Sequence, residues 1–71
     1  MAKYCVGIVG KYHKIGRILS RHHKKAKAVE SAKKFSRKFG YRSTVGIYEK
    51  SDTSGLMFLM ESYVGGKKDT T

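Results

Sequence analysis

Residues 24–39 read KKAKAVESAKKFSRKF, and their periodicity decides the fold. Neither glycine nor proline interrupts the stretch. Ala28, Val29, Ala32, Phe35 and Phe39 recur at the i, i+1, i+4, i+7 and i+11 spacing of one helical face. An amphipathic helix follows. Gly40 stands directly after Phe39, where a left-handed residue ends a helix, and Arg37 and Lys38 occupy the last turn, where positive charge suits the dipole. The start is poorly provided. No Ser, Thr, Asp or Asn immediately precedes Lys24 and no acid stands in the first turn, so lysines crowd the dipole end that repels them.

Outward from the helix, both flanks turn β-rich and resemble each other. A shift of 39 positions lays Val6-Gly7-Ile8 on Val45-Gly46-Ile47, Lys11 on Lys50 and Gly16 on Gly55, five identities in eleven positions. Ile18 and Leu19 then lie over Met57 and Phe58. The shared frame predicts two copies of one strand-loop-strand hairpin, with Gly16 and Gly55 at equivalent loop-to-strand junctions. The expected architecture is α+β, β-β-α-β-β: an antiparallel four-stranded sheet with one amphipathic helix packed on one face. Strands are expected near residues 3–9, 16–22, 43–49 and 56–64, with loops at 11–14 and 51–54.

Alternation assigns the faces. Tyr4, Val6, Ile8, Val45, Ile47, Phe58 and Met60 should meet the helix, and Gly7 and Gly46 should lie on the other side. The last strand, Leu56-Met57-Phe58-Leu59-Met60, is apolar on both faces. One helix covers one side only, so Met57 and Leu59 are expected to face water and to form an interface with a second copy or another protein.

A chain of 71 residues holds one domain, read here as residues 1–66 with a short flexible tail at 67–71. An apolar fraction of 39% with 11% aromatics is enough to build a core, which excludes outright disorder. Cys5 has no partner for a disulfide within the monomer, and a lone thiol suits a reducing cytoplasm. The apolar stretch at residues 4–9 is broken by Gly7 and falls far short of the ~20 residues that span a bilayer, so no membrane partner and no targeting segment are expected. Sixteen Lys and Arg against five Asp and Glu leave a formal charge of +11. Self-repulsion of that size is relieved by an anionic partner.

Three basic features carry the functional expectation. The run Arg21-His22-His23-Lys24-Lys25, with Lys27, lies where the second strand hands over to an uncapped helix start, an arrangement suited to a phosphate. Along the helix, Lys27, Lys34 and Lys38 form a stripe to one side of the apolar face, with Lys33 and Arg37 farther round and only Glu30 interrupting. Aromatics stand beside cations at Lys11-Tyr12-His13-Lys14 and at Tyr41-Arg42, and Tyr12, in a hairpin loop, is the better placed to stack on a base.

Catalytic chemistry finds little footing. His22 and His23 are adjacent and point to opposite faces of a strand, Cys5, flanked by Tyr4 and Val6, reads as inert packing rather than as a nucleophile paired with His13, and the acids are scattered. There is no zinc-ligand spacing, and Gly7, Gly10 and Gly16 do not form a phosphate-cradling loop. Neither an aromatic strand signature for RNA nor a second helix for a helix-turn-helix is present. The expectation is a non-catalytic protein without metal or cofactor that binds DNA or RNA. The alternative is a small modulator or adaptor that binds an acidic protein, with homodimerisation through the apolar last strand.

Overall fold

The structure, a computed structural model, describes residues 3–69, with the backbone alone at His13. The chain runs β1 (Tyr4–Val9), a single 3-10 turn (Lys11–His13), β2 (Ile15–His22), α1 (Lys25–Phe39), β3 (Val45–Lys50), β4 (Met57–Val64) and β5 (Lys67–Lys68). Every pairing is antiparallel and the sheet order is β2-β1-β3-β4-β5, with α1 across one face. This is the expected α+β plan with one strand added. Gly65 and Gly66 take φ of 60° and 84°, the two left-handed residues a tight hairpin turn prefers, and they return the chain onto β4. Residues read as a tail therefore pair, Lys67 with Val64 and Lys68 with Tyr63.

The centre of the sheet joins the two related segments to each other. Antiparallel pairing of β1 with β3 sets Val6 opposite Ile47, Gly7 opposite Gly46 and Ile8 opposite Val45. On the helix side, Val6, Val45, Ile47 and Tyr63 are buried against Ala28 and Ala32, whose small side chains let the helix settle close to the sheet. Tyr4, Leu19, Val29, Phe35 and Phe39 pack around that centre. The buried Ser36 hydroxyl accepts a hydrogen bond from the Gly66 N–H at 2.9 Å, tying the helix to the β4–β5 turn.

The other face has no second layer, yet Cys5 and Tyr48 on it are buried. The paired glycines explain how. A Cβ at Gly46 would fall 2.7 Å from both Leu59 Cδ1 and Val9 Cγ2 and 3.1 Å from Tyr48 Cε1, and one at Gly7 would fall 2.7 Å from Ile15 Cδ1. Side chains from four strands thus lie down over a strip of bare backbone and shield it themselves.

This arrangement corrects three expectations. Phe58 and Met60, expected against the helix, are 56% and 45% exposed, while Met57 and Leu59, expected in water, are half-buried. Phe58 keeps its expected side, opposite Glu49, but lies outside the group packed on the core, and Met57 and Leu59 keep the far side, where Leu59 lies over Gly46. For Met60 the cause is a bulge: Ile47 pairs with Glu61 but Tyr48 pairs with Leu59, so Met60 is the extra residue and the alternation breaks there. Glu61 and Tyr63 take the helix-side positions instead. The hairpin correspondence holds for the first strands and fails after the loops. Gly16 lies inside β2 at a register shift, whereas Gly55 sits in the loop before β4 with φ of 71°.

Gly7→Ala should destabilise the protein by about 1–3 kcal/mol. The added methyl would meet the Arg17 carbonyl oxygen at 2.5 Å, and a strand backbone does not move aside as a side chain does. Gly46→Ala meets only side chains and should cost less. Chemical denaturation of the two variants beside the wild type measures the order, and equal stability of all three would show that the glycine pair is not needed for this face to close.

Candidate nucleic-acid interface

A turn at His23 and Lys24 brings α1 back antiparallel to β2, the strand it follows and an edge strand of the sheet. Lys27 and Lys34 consequently line a groove with Ser20 and His22 of β2, and Lys38, one helical turn beyond Lys34, continues the same flank. Arg17 lies opposite Ile8 on the helix side of the edge strand. Beyond it, Lys11, Tyr12 and Lys14 form the exposed tip of the β1–β2 hairpin. A strip of cations therefore follows the β2 edge, from Lys11 and Lys14 through Arg17, Lys38 and Lys34 to Lys27 and Lys24.

The sequence run Arg21-His22-His23-Lys24-Lys25 does not stay together. Arg21 pairs opposite Cys5 and so belongs to the sheet face away from the helix, while His22 lies opposite Tyr4 and lines the groove. Lys25 turns the other way and meets Glu61 of β4 at 3.4 Å. The helix start is uncapped, as expected, with no side-chain hydrogen bond at Lys24 and no acid in the first turn. The sheet supplies the missing negative charge. Glu61 holds Lys25 and Lys68, at 3.4 and 3.6 Å, and accepts a 2.8 Å hydrogen bond from the Tyr63 hydroxyl. With 18% of its side chain exposed, it was legible in the sequence only as a scattered acid. Arg37 faces the opposite flank, its stem lying over Gly66, and Arg42 follows the helix on an exposed turn.

The charges are segregated. Glu49, Asp52, Glu61 and Asp69 all belong to the part of the chain that forms β3 to β5, and Glu49 is engaged by Lys3 at 3.5 Å. Among the described residues the sole acid on the β2 flank is Glu30, 3.8 Å from Lys27 on the exposed helix surface. Among the described residues, Lys24, Lys34, Lys38 and Arg17 have no ion pair.

Tyr12 stands at the end of the strip with 89% of its surface exposed and a left-handed backbone, φ 59° and ψ 30°. A non-glycine residue in that region costs about 1–2 kcal/mol. Tyr41, also exposed, rests its ring against Gly65. No group of three or more metal-ligating side chains occurs among the described residues, and Cys5 is buried. No described helix is long and apolar enough to cross a membrane. Comparison with protein-family models, curated proteins and solved structures finds no match.

Two groups at the Glu61 cluster carry shifted titrations. The Tyr63 hydrogen bond, aided by Lys25 and Lys68, holds the Glu61 carboxyl below its ordinary value of 4.5 against the opposing effect of burial. Burial and the adjacent carboxylate push Tyr63 from 10.0 up to about 12. A lowered carboxylate pKa contributes stability above about 4.5 that is lost as pH falls through the folded value. A raised tyrosine pKa contributes stability below 10.0 that is lost as pH rises toward about 12. Glu61→Gln should flatten the acid limb of a stability-versus-pH curve measured by urea denaturation. An acid limb as steep as that of the wild type would assign it to other carboxylates.

Proposed function

We infer that this protein is a non-catalytic nucleic-acid-binding protein that lays its β2 edge and the adjoining flank of α1 along a phosphate backbone. The observation that supports this most is the segregation of charge. Lys24, Lys27, Lys34, Lys38 and Arg17 border one sheet edge where Glu30 is the only acid among the described residues, while the other acidic side chains lie with β3 to β5. An ordinary solvated helix face mixes signs to form i,i+3 and i,i+4 pairs, whereas this one offers a single acid, Glu30, against Lys24, Lys27, Lys34 and Lys38. The β2 strand adds a row of edge N–H groups, which bond phosphate oxygens without regard to sequence. At the hairpin tip, Tyr12 offers an aromatic face to an unpaired base between Lys11 and Lys14. Lys25 has a lesser part, since Glu61 already holds it. A lone, buried cysteine is consistent with a reducing cytoplasm.

Exposed apolar groups favour a second reading. Leu56, Phe58 and Met60 are uncharged and exposed on or beside β4, whose outer edge is covered by β5 only at Tyr63 and Val64. A strand of an acidic protein partner, or of a second copy, can add there.

Replacing Lys27, Lys34 and Lys38 together by Gln preserves helix propensity and removes three cations from the strip. Affinity for duplex DNA should fall, and the slope of log affinity against log salt should become shallower by about 2.7, at about 0.9 per phosphate contact. Fluorescence anisotropy across a salt series measures both. Unchanged slope and affinity would remove the strip from the binding surface and leave the β4 edge as the leading reading.

A further inference from the structure

The groove between β2 and α1 contains a hydrogen-bonded chain that neither composition nor charge reveals. Ser20 Oγ lies 2.8 Å from His22 Nε2 and 2.7 Å from Ser31 Oγ, so one strand hydroxyl links an imidazole to a helix hydroxyl. Phe35 and the stems of Lys27 and Lys34 complete the walls, and Glu30 is the one acid on the rim. We propose that this groove is a phosphate subsite, in which Ser31 donates its hydroxyl proton to a phosphate oxygen and Lys27 and Lys34 neutralise the charge. The proposal rests on the nucleic-acid reading in taking a backbone phosphodiester as the natural occupant, and a free phosphate presents the same chemistry.

Counting protons shows why the chain suits an anion. When His22 carries its proton on Nε2, the ring N–H donates to Ser20 Oγ, the Ser20 O–H donates to Ser31 Oγ, and the Ser31 O–H is left over. With the proton on Nδ1 only, the direction reverses. Ser31 donates to Ser20, Ser20 donates to Nε2, and no hydroxyl proton remains for a ligand. An acceptor in the groove therefore selects the Nε2–H form. A purely structural serine bridge would gain nothing from an anion and would keep its direction.

The test uses the whole 15N-labelled protein titrated with inorganic phosphate, against sodium chloride at matched ionic strength. Saturable shifts should appear at His22, Ser31 and Lys34 with phosphate alone, and the His22 ring nitrogens should move toward the Nε2–H pattern. Ser20→Ala with Ser31→Ala should weaken phosphate binding by about tenfold, the size of a lost hydrogen bond to a charged acceptor. Glu30→Gln is an exposed change that leaves the hydrogen-bonded chain intact, and it should strengthen binding about threefold. Shifts identical to those from chloride, or unchanged phosphate affinity in both variants, would overturn the subsite.

A second arm separates the sources with single- and double-stranded oligonucleotides. Competition between oligonucleotide and phosphate for the same resonances supports a backbone occupant. Phosphate binding without any oligonucleotide binding would sink the nucleic-acid reading while supporting the groove as a site for free phosphate. Oligonucleotide binding with a groove that ignores phosphate would overturn the subsite alone.

Discussion

Everything in this molecule depends on the direct pairing of Gly7 with Gly46 at the centre of the sheet. A five-stranded sheet covered by a single short helix has one layer too few, and its second face ought to expose two central strands. Removing two Cβ atoms at one paired position lets Ile15, Val9, Leu59 and Tyr48 lie flat across the backbone. Tyr48 and Cys5 are thereby buried without a second helix. A glycine in a strand interior ordinarily weakens it. Here the loss is offset by side-chain contacts that a Cβ would forbid. The same pairing holds Val6 against Ile47 and Ile8 against Val45, so the helix-side core and the self-covered face share one register.

That register also distributes the charge. Fixing β1 beside β3 sends β2 to one side of the sheet and β4 with β5 to the other, and most acids travel with the latter. Glu61 acts within the fold, joining the helix start, β4 and β5 through Lys25, Tyr63 and Lys68. The β2 flank receives cations with little to balance them. Excess charge near an uncompensated edge destabilises the compact state by repulsion. It also discourages pairing between copies along that edge, whereas the β4 edge, with Leu56, Phe58 and Met60 exposed, lacks such a guard.

The helix, its stop at Gly40 and the four main strands were legible because each rests on a local signal: a 3.6-residue period, a glycine after the last apolar residue, alternation in Tyr4-Cys5-Val6-Gly7-Ile8. The lysine stripe was legible for the same reason, since Lys27, Lys34 and Lys38 fall on one flank of any helix with this apolar face. The fifth strand has a local signal in Gly65-Gly66 between Val64 and Lys67, but the two pairs that follow are too short a strand to show an alternation of their own. The side that Met60 takes was not legible, because a bulge has no mark in a strand stretch that is apolar at every position from 56 to 60.

By itself, then, the amino-acid order determined the elements, the basic surplus and which helix flank bears it, all matters of spacing within one segment. Tertiary structure decided how residues distant in the chain meet: Glu61 at Lys25, Ser20 between His22 and Ser31, Gly7 against Gly46. It also decided which face each neighbour takes, setting Arg21 opposite Cys5 away from the helix and His22 opposite Tyr4 beside it. The physical reason is that a strand fixes only the alternation of its side chains, while hydrogen-bond register with its neighbours fixes what each of them faces.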